Sequence, residues 1–412
     1  MGTGKIKLHD LSGFKLIFLS RWHAGDEDRQ KEEHWQSIRH GVELAGEWSY
    51  KQIRLTPPEL AVPEVGIGRR ESIMFAGTDW LTEESRKIST LFEAHLILDS
   101  AYVKIGIWKR GESIHDQFNE LSEKLNKLKS SDLDQHIMIG EVSCYYGEIG
   151  KNSDIKSINC SVLQKLLHDD RDEISVFSFP WGSLAIPAFK KNPVVLIGYK
   201  DEKSVEQSSW FINYILPRLS LSYLKIDNDS RVYEKERPEI EKAERLLALE
   251  LEGRVQQGSL RFLEKRTILI ASHQDKLVED LGKLSQRIIG METNLRNLDI
   301  VLKEKILDGH YSELWRLFGE STALAVEQIR VDMNYFQARN EEAQLALQTL
   351  RSLVDIERGK MERLLFAIIG LIGLVISLID GFSEEFSWPV KTAIVIAGTI
   401  LGLILWFSGR KR

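Results

Sequence analysis

An apolar residue recurs with alternating spacings of four and three along two long stretches of the chain. This spacing places the apolar side chains on one side of an α-helix and is typical of a coiled-coil seam. The two runs are Leu277, Leu281, Leu284, Ile288, Met291, Leu295, Leu298 and Leu302, and then Val326, Ile329, Met333, Phe336, Asn340, Ala343, Leu347, Leu350 and Val354. This part of the chain is therefore predicted to form long helices. The two apolar runs could pack against each other as an antiparallel pair, or they could pack against other subunits.

Asn340 is the one polar member of the second run. A single Asn in a coiled-coil seam fixes register or oligomer state at some cost in stability. An equally compatible interpretation is a local irregularity at which Asn340 faces solvent. Asn340 is our candidate for the residue that sets the register of the helical stalk.

Two strongly apolar segments follow the second run. Leu364 to Ile379 contains 16 consecutive uncharged residues, and Pro389 to Phe407 contains a single charge, Lys391. A helix needs roughly 20 apolar residues to cross the hydrocarbon core of a bilayer. We therefore predict a two-helix transmembrane hairpin with spans at about 363–380 and 389–408. The alternative is a buried hairpin of a water-soluble protein.

Charges on both sides of the predicted hairpin indicate its orientation. Arg358, Lys360 and Arg363 precede the first segment and the basic residues 410–412 follow the second, whereas the connecting loop is acidic apart from Lys391. Lys and Arg are enriched on the cytoplasmic side of membrane proteins. We therefore expect a multi-pass protein of the inner (plasma) membrane, in contact with lipid, with both termini in the cytoplasm.

Small, aliphatic and acidic residues in these segments supply candidate sites. Glycines let two membrane helices approach closely, and acidic residues at a channel mouth attract cations. The candidate helix-packing residues are Gly370, Gly373, Gly398 and Gly402. The candidate pore stripe is Leu371, Val375 and Leu378, and the candidate outer mouth is Asp380, Glu384 and Glu385. The three acidic residues equally suit any short polar loop.

The first 230 residues alternate strand-like and helix-like patterns. Strands are predicted at 14–20, 94–98, 102–108, 137–146, 174–179 and 193–199, and helices at 27–45, 82–92, 113–128, 161–168 and 204–221. The strands at 94–98 and 102–108 predict a hairpin, so the sheet is at least partly antiparallel. The predicted fold class is an α+β cytosolic N-terminal domain (1–230), a helical coiled-coil stalk (231–362) whose long helix begins near Pro238, and a transmembrane hairpin (363–409).

Composition and motifs argue against several functions. The net charge of -6 gives no basic surface for nucleic acid. Cys144 and Cys160 fit neither a disulfide framework nor a metal-binding spacing, and Cys144 is predicted to be a buried strand residue. Gly66 and Gly68 lack the third glycine and the Lys-Ser/Thr of a phosphate loop, and no familiar catalytic motif occurs. We expect no enzyme activity and no cofactor, and we assign no metal ligands.

The layout of roughly residues 240–412 resembles the CorA superfamily of divalent-cation channels. The matching features are a long helical stalk that runs into the first of two C-terminal spans, a very short outer loop and a basic tail. The family has a Gly-Met-Asn tripeptide at the outer end of the first span, where this chain has Ile379, Asp380 and Gly381. The resemblance implies a channel-like assembly without the usual filter. Because a pore needs a ring of helices, we expect a homo-oligomer, with a pentamer favoured.

The stretch FINYILPRLSLSYLKIDNDSRVYEK, from Phe211 to Lys235, resembles the helix that closes the N-terminal module of the CATRA group of bacterial conflict-system proteins. The matching features are aliphatic residues around a Leu-Pro, followed by a Leu-Lys and a Tyr. This resemblance implies a membrane-linked sensor or effector of prokaryotic antiviral defence. CorA-like membrane effectors beside nucleotide-signalling CRISPR systems point in the same direction.

Three functions follow as expectations. The favoured one is an oligomeric membrane effector of a defence system, in which the N-terminal domain senses a small molecule or protein and the stalk transmits the change to a pore. The second is a CorA-like divalent-cation channel without the usual filter. The third is a membrane-anchored scaffold that binds partner proteins.

Overall fold

The computed structural model describes residues 8–20, 36, 73–83, 88–97, 100–109, 138–149, 175–186, 194–252, 259–381, 388–390, 392, 393, 396–398 and 400. The chain divides into two compact units. The sheet unit comprises Met1–Arg231 and Ile289–Glu327, and the helical unit comprises Val232–Ile288 and Gln328–Arg412.

The sheet unit contains an eight-stranded mixed sheet. Its strands are β1 Leu8–Ser20, β2 Ile73–Glu83, β3 Ile88–Ile97, β4 Ser100–Lys109, β5 Met138–Ile149, β6 Ser175–Phe179, β7 Gly182–Ile186 and β8 Val194–Tyr199. They lie side by side in the order β2-β3-β4-β1-β5-β8-β7-β6. The β5–β8 pair is parallel, and the other neighbouring strands are antiparallel.

The sequence patterns located most of this sheet. Each of the six predicted strands overlaps an observed one, and the predicted hairpin is the antiparallel pair of β3 and β4. The helix predicted at 82–92 is wrong, because these residues include the end of β2 and the first half of β3. Strands β2 and β7 were not predicted. The helices predicted at 27–45, 113–128 and 161–168 lie outside the described residues, apart from residue 36.

Long helices make up most of the remaining described chain. They are α1 Glu202–Trp210, a π-helical turn Phe211–Ile215, α2 Leu216–Glu252, α3 Leu260–Leu302, a 3₁₀ turn Lys305–Leu307, α4 Tyr311–Leu314, a second π-helical turn Trp315–Gly319, and α5 Glu320–Gly381. The helix predicted at 204–221 is confirmed by α1 and the residues after it. The predicted helix start near Pro238 is wrong, because Pro238 lies inside α2.

Period-two alternation in β1 builds one face of the sheet-unit core. Phe14, Leu16 and Phe18 point to the same face, where they join buried side chains of α2 and α3 in one cluster. Leu298 and Leu302, the last two residues of the first apolar run, belong to this cluster as well. Each fully buried aliphatic or aromatic side chain stabilises the fold by about 1.5–3 kcal/mol.

The helical unit is built from parts of α2, α3 and α5 that pack along their lengths. The polar pairs between helices are Gln274–Asn340 and Glu264–Arg358 (α3 and α5), Glu236–Arg287 (α2 and α3), and Glu244–Arg339 (α2 and α5). Helices α3 and α5 are antiparallel, because an early residue of one meets a late residue of the other. Leu277 and Ala343, one from each apolar run, are fully buried. The two runs therefore pack within a single chain, which was the first of the two predicted alternatives.

Asn340 is half-buried, and its Oδ1 accepts a hydrogen bond from Gln274 Nε2 at 2.9 Å. Replacing Asn340 with Leu should lower the free energy of unfolding by about 1–2 kcal/mol, because the buried Gln274 amide loses its partner. The double variant Gln274→Leu/Asn340→Leu should recover most of this loss, since both polar groups are gone. Urea unfolding of the three proteins measures the difference. If the single and double variants were equally stable, the loss would not come from the unpaired amide of Gln274.

The predicted transmembrane hairpin is corrected by the structure. Within the described part of the chain, no helix has a stretch long and apolar enough to cross a membrane. Helix α5 carries charges up to Arg363, and its apolar stretch with described side chains, Leu364 to Ser377, is shorter than the roughly 20 residues that a span needs. This contradicts the expected multi-pass membrane localisation and the interpretation as an ion channel. Most of the second predicted span lies outside the described residues.

Candidate functional site

A cleft of about 870 Å³ opens in the sheet unit. Three parts of that unit form it: the turn between β6 and β7, the helix α1 with the π-helical turn that follows it, and the residues just after α3. Its lining residues are Pro180, Trp181, Glu206, Gln207, Ser209, Trp210, Asn213, Tyr214, Glu304, Lys305, Ile306 and Asp308. A volume of this size is typical of sites for small molecules.

One buried aromatic side chain, Trp181, lines the cleft, and two further buried rings pack against it. Trp181 is almost fully buried, stacks on Phe179 at 5.0 Å between ring centroids, and lies 5.5 Å from Phe211. Its indole N–H donates to the carbonyl oxygen of Ile306 at 3.3 Å. His310 Nε2 lies 2.8 Å from the carbonyl oxygen of Ser178, which ties the same two segments together once more. The β6–β7 turn is therefore held against the residues after α3.

The π-helical turn Phe211–Ile215 shapes one wall. Single π turns inside α-helices are uncommon and recur at functional sites. Phe211, Ile212 and Ile215 are buried in the core, whereas Asn213 and Tyr214 are half-buried and line the cleft. One helical turn thus contributes both to the core and to the cleft.

Trp210 gives the cleft an exposed aromatic surface. Its side chain is 45% exposed, which is high for the largest apolar residue, and its ring lies 4.2 Å from that of Tyr214 at an angle of 30°. The two residues are four apart, so they fall on the same side of the helix. Together they form a small aromatic shelf, defined here as Trp210 and Tyr214.

The charged residues of the cleft are mostly acidic. Glu206, Glu304 and Asp308 contribute carboxylates, and Lys305 contributes one ammonium group. Glu304 lies 3.4 Å from the guanidinium of Arg218. One oxygen of Asp308 accepts a hydrogen bond from the backbone N–H of Gly309 at 3.0 Å. The potential inside the cleft therefore favours positive groups.

A buried polar cluster lies behind the π-helical turn. Lys104 on β4 donates to Asn213 Oδ1 at 2.8 Å and to Glu93 on β3 at 2.9 Å, and its ammonium lies 4.9 Å from the Phe14 ring centroid. Burial raises the pKa of Glu93, but hydrogen bonds from His95 and Lys104 and the charge of Lys104 outweigh it and lower that pKa to about 2. Asn213 thus connects the cleft wall to a charged pair in the sheet.

Cys144 has no nucleophilic role in this arrangement. It is fully buried on β5, as predicted, and burial raises the pKa of its thiol to about 12. A thiol with such a pKa stays protonated at neutral pH and is a poor nucleophile. Among the described residues, no group of three His, Cys, Asp or Glu side chains is arranged to hold a metal ion.

The glycines predicted to pack helices lie mostly in open surroundings. A Cβ atom placed on Gly370 or Gly373 would meet no described atom within 4 Å. A Cβ on Gly398 would lie 3.9 Å from Val375. Gly402 lies outside the described residues.

The predicted pore and mouth residues lie on the last part of α5 or outside the described residues. Leu371 is exposed and Val375 is half-buried on α5. Leu378 and Asp380 also belong to α5, but their side chains are not described. Glu384 and Glu385 lie outside the described residues.

Sequence reasoning did not find the cleft. Its walls come from residues 180–181, 206–214 and 304–308. These segments lie far apart in the sequence and share no local motif. The aromatic pair Trp210 and Tyr214, spaced four apart, was the one local signal available. Comparison with protein-family models and with curated proteins gave no match.

Proposed function

We propose that the chain is a ligand-responsive sensor, in which a small molecule binds the cleft and the helices that border it carry the response to the helical unit. The observation that supports this best is the makeup of the cleft walls. The π-helical turn leads directly into α2, and Glu304 to Asp308 follow directly after α3. Both helices have residues in the helical unit as well.

The π-helical turn supplies an element that a ligand can bias. A π turn contains one more residue per turn than the α-helix on either side, so its relaxation shifts the register of the helix after it. A ligand shifts such an equilibrium only if it binds one state more tightly than the other. Trp210, Asn213 and Tyr214 lie on or beside this turn and line the cleft. A ligand in contact with them therefore binds the two states of the turn with different affinities.

Several expectations drawn from the sequence remain predictions. They are the homo-oligomer, the role in prokaryotic defence, the resemblance to CorA and CATRA proteins, the absence of enzyme activity and the alternative of a protein ligand on the sheet unit. Of these, the sensor proposal uses only the prokaryotic role, in the choice of a bacterial extract as the source of ligands.

Hydrogen–deuterium exchange tests the sensor proposal. A deproteinised small-molecule extract of bacterial cells should slow exchange in residues 202–216 and 303–310, and it should change exchange in residues 232–252 and 260–288. The Trp210→Ala variant should lose at least tenfold in the affinity that these changes report, because the aromatic shelf is halved. The variant should keep the thermal stability of the natural chain, since Trp210 is exposed.

Two results would contradict the proposal. Unchanged exchange around the cleft would argue against binding there. Protection around the cleft without any change in residues 232–252 and 260–288 would make the chain a binding module that transmits no signal. Val278→Ala is a suitable control, because Val278 is exposed on α3 and does not line the cleft.

A further inference from the structure

We infer that the ligand of the cleft is a small organic cation that carries an ammonium group. This inference rests on the sensor proposal and specifies the class of molecule that the cleft binds. The ammonium group lies against the ring of Trp210, between the carboxylates of Glu206 and Asp308.

The aromatic shelf is the first argument. The face of an indole ring attracts a cation more strongly than that of any other side chain, by about 0.5–2 kcal/mol depending on desolvation. Trp210 lines the cleft and is 45% exposed, and Tyr214 lies with its ring 4.2 Å away. A ligand with methyl or methylene groups around its charge would bury this exposed ring and gain apolar contact at the same time.

The carboxylates are the second argument. Glu206 lies four residues before Trp210, and therefore on the same side of α1. Glu206 forms no ion pair within the described part of the chain, whereas Glu304 is in contact with Arg218. Asp308 uses one oxygen for the Gly309 N–H, which leaves its second oxygen for a ligand.

The overall balance of charge disfavours the opposite class of ligand. Three carboxylates and one ammonium group line the cleft. A phosphate-bearing ligand would bring negative charge among these carboxylates, and like charges repel. Lys305 and the guanidinium of Arg218, which lies 3.4 Å from Glu304, still leave one carboxylate in excess.

The size of the cleft and the arrangement of its acids favour an organic cation over a metal ion. A volume of about 870 Å³ is far larger than the coordination shell of a single ion. Among the described residues, the carboxylates do not form a group suited to hold a metal. An ammonium group does not need several carboxylates arranged around it, because a ring face and one or two carboxylates are enough to bind it.

Calorimetric titration with a matched pair of probes tests the inference. Choline is the cationic probe, and 3,3-dimethyl-1-butanol is its neutral isostere with a carbon in place of nitrogen. Choline should bind the full chain at least tenfold more tightly than the neutral alcohol. Trp210→Leu and Glu206→Gln should each weaken choline binding at least tenfold, whereas Glu202→Gln should leave it unchanged, because Glu202 does not line the cleft.

The remaining outcomes show whether the cation inference fails alone or the sensor proposal fails with it. Equal binding of choline and the neutral alcohol would overturn the cation inference and leave an apolar site. Adenosine monophosphate, titrated in the same way, is the anionic probe. If it binds and choline does not, the cation inference is overturned and the sensor proposal stands. If no probe binds and the bacterial extract also leaves exchange around the cleft unchanged, both proposals fail.

Discussion

Replacing Gly182 with alanine should lower the free energy of unfolding by about 3 kcal/mol or more, because the added methyl group has no room. A Cβ atom at this position would lie 2.0 Å from the carbonyl oxygen of Gly198 on β8. That oxygen belongs to the backbone of a strand paired with β7, so it cannot move aside without breaking the sheet. Urea unfolding followed by circular dichroism measures the loss.

Gly282 provides the matched control for this prediction. It lies inside α3, where an added Cβ would meet no described atom within 4 Å. Gly282→Ala should raise the free energy of unfolding by about 0.5–1 kcal/mol, because alanine favours the helix over the unfolded chain. If Gly182→Ala left the free energy of unfolding unchanged or raised it, as expected for Gly282→Ala, the close approach of β7 and β8 would be wrong.

The helical part of the fold was largely predictable because its signal is periodic. The 4,3 spacing in the two runs, Leu277 to Leu302 and Val326 to Val354, predicted long helices with buried seams, and most members of both runs are buried in α3 and α5. The partner of each seam was not predictable, since the same spacing suits contact within one chain or between chains. The Gln274–Asn340 hydrogen bond identifies the partner as the other run of the same chain.

The two missed strands show where local patterns fail. Strand β7 has only five residues, Gly182–Ile186, and begins with Gly and Ser, which are typical of loops. It is a strand because β6 and β8 pair with it on both sides and bury all of it. Strand β2 contains Gly77 and Asp79, which likewise weaken the strand pattern. Pairing with neighbours overrides propensity in both cases.

The cleft depends on contacts that the sequence does not encode locally. Trp181 reaches Ile306 across more than a hundred residues, and the one-residue widening of the helix at Phe211–Ile215 has no reliable sequence signal. A search for catalytic motifs passes over such a site, because aromatic rings and carboxylates recognise a ligand without forming a motif. The tertiary fold was therefore needed to find it.

The second large effect concerns the buried pair of Glu93 and Lys104. Glu93→Gln should lower the free energy of unfolding at pH 7 by about 3 kcal/mol, because the ammonium of Lys104 stays buried while it loses its carboxylate partner. Lys104 is only 4% exposed, and its Nζ lies 2.9 Å from Glu93 Oε2. Urea unfolding of the natural chain and the variant at several pH values between 7 and 3 measures this difference.

The pH dependence separates an electrostatic effect from a packing effect. The pKa of Glu93 falls from its ordinary value of 4.5 to about 2 in the folded chain. A carboxyl whose pKa is lower in the folded state stabilises that state above the unfolded-state pKa, and this stabilisation is lost as the pH falls through the folded-state value. The difference between the natural chain and Glu93→Gln should therefore be complete above pH 4.5 and should shrink as the pH falls toward 2.

Glu279→Gln is the control, because Glu279 also pairs with a lysine, Lys283, but lies on the exposed surface of α3. An exposed ion pair is screened by water and contributes little to stability, so this variant should unfold like the natural chain at every pH. A Glu93→Gln difference that stayed constant from pH 7 to pH 3 would mean that the carboxylate charge is not its source. In that case lost packing or hydrogen bonding around Glu93, rather than the loss of its charge, would account for the difference.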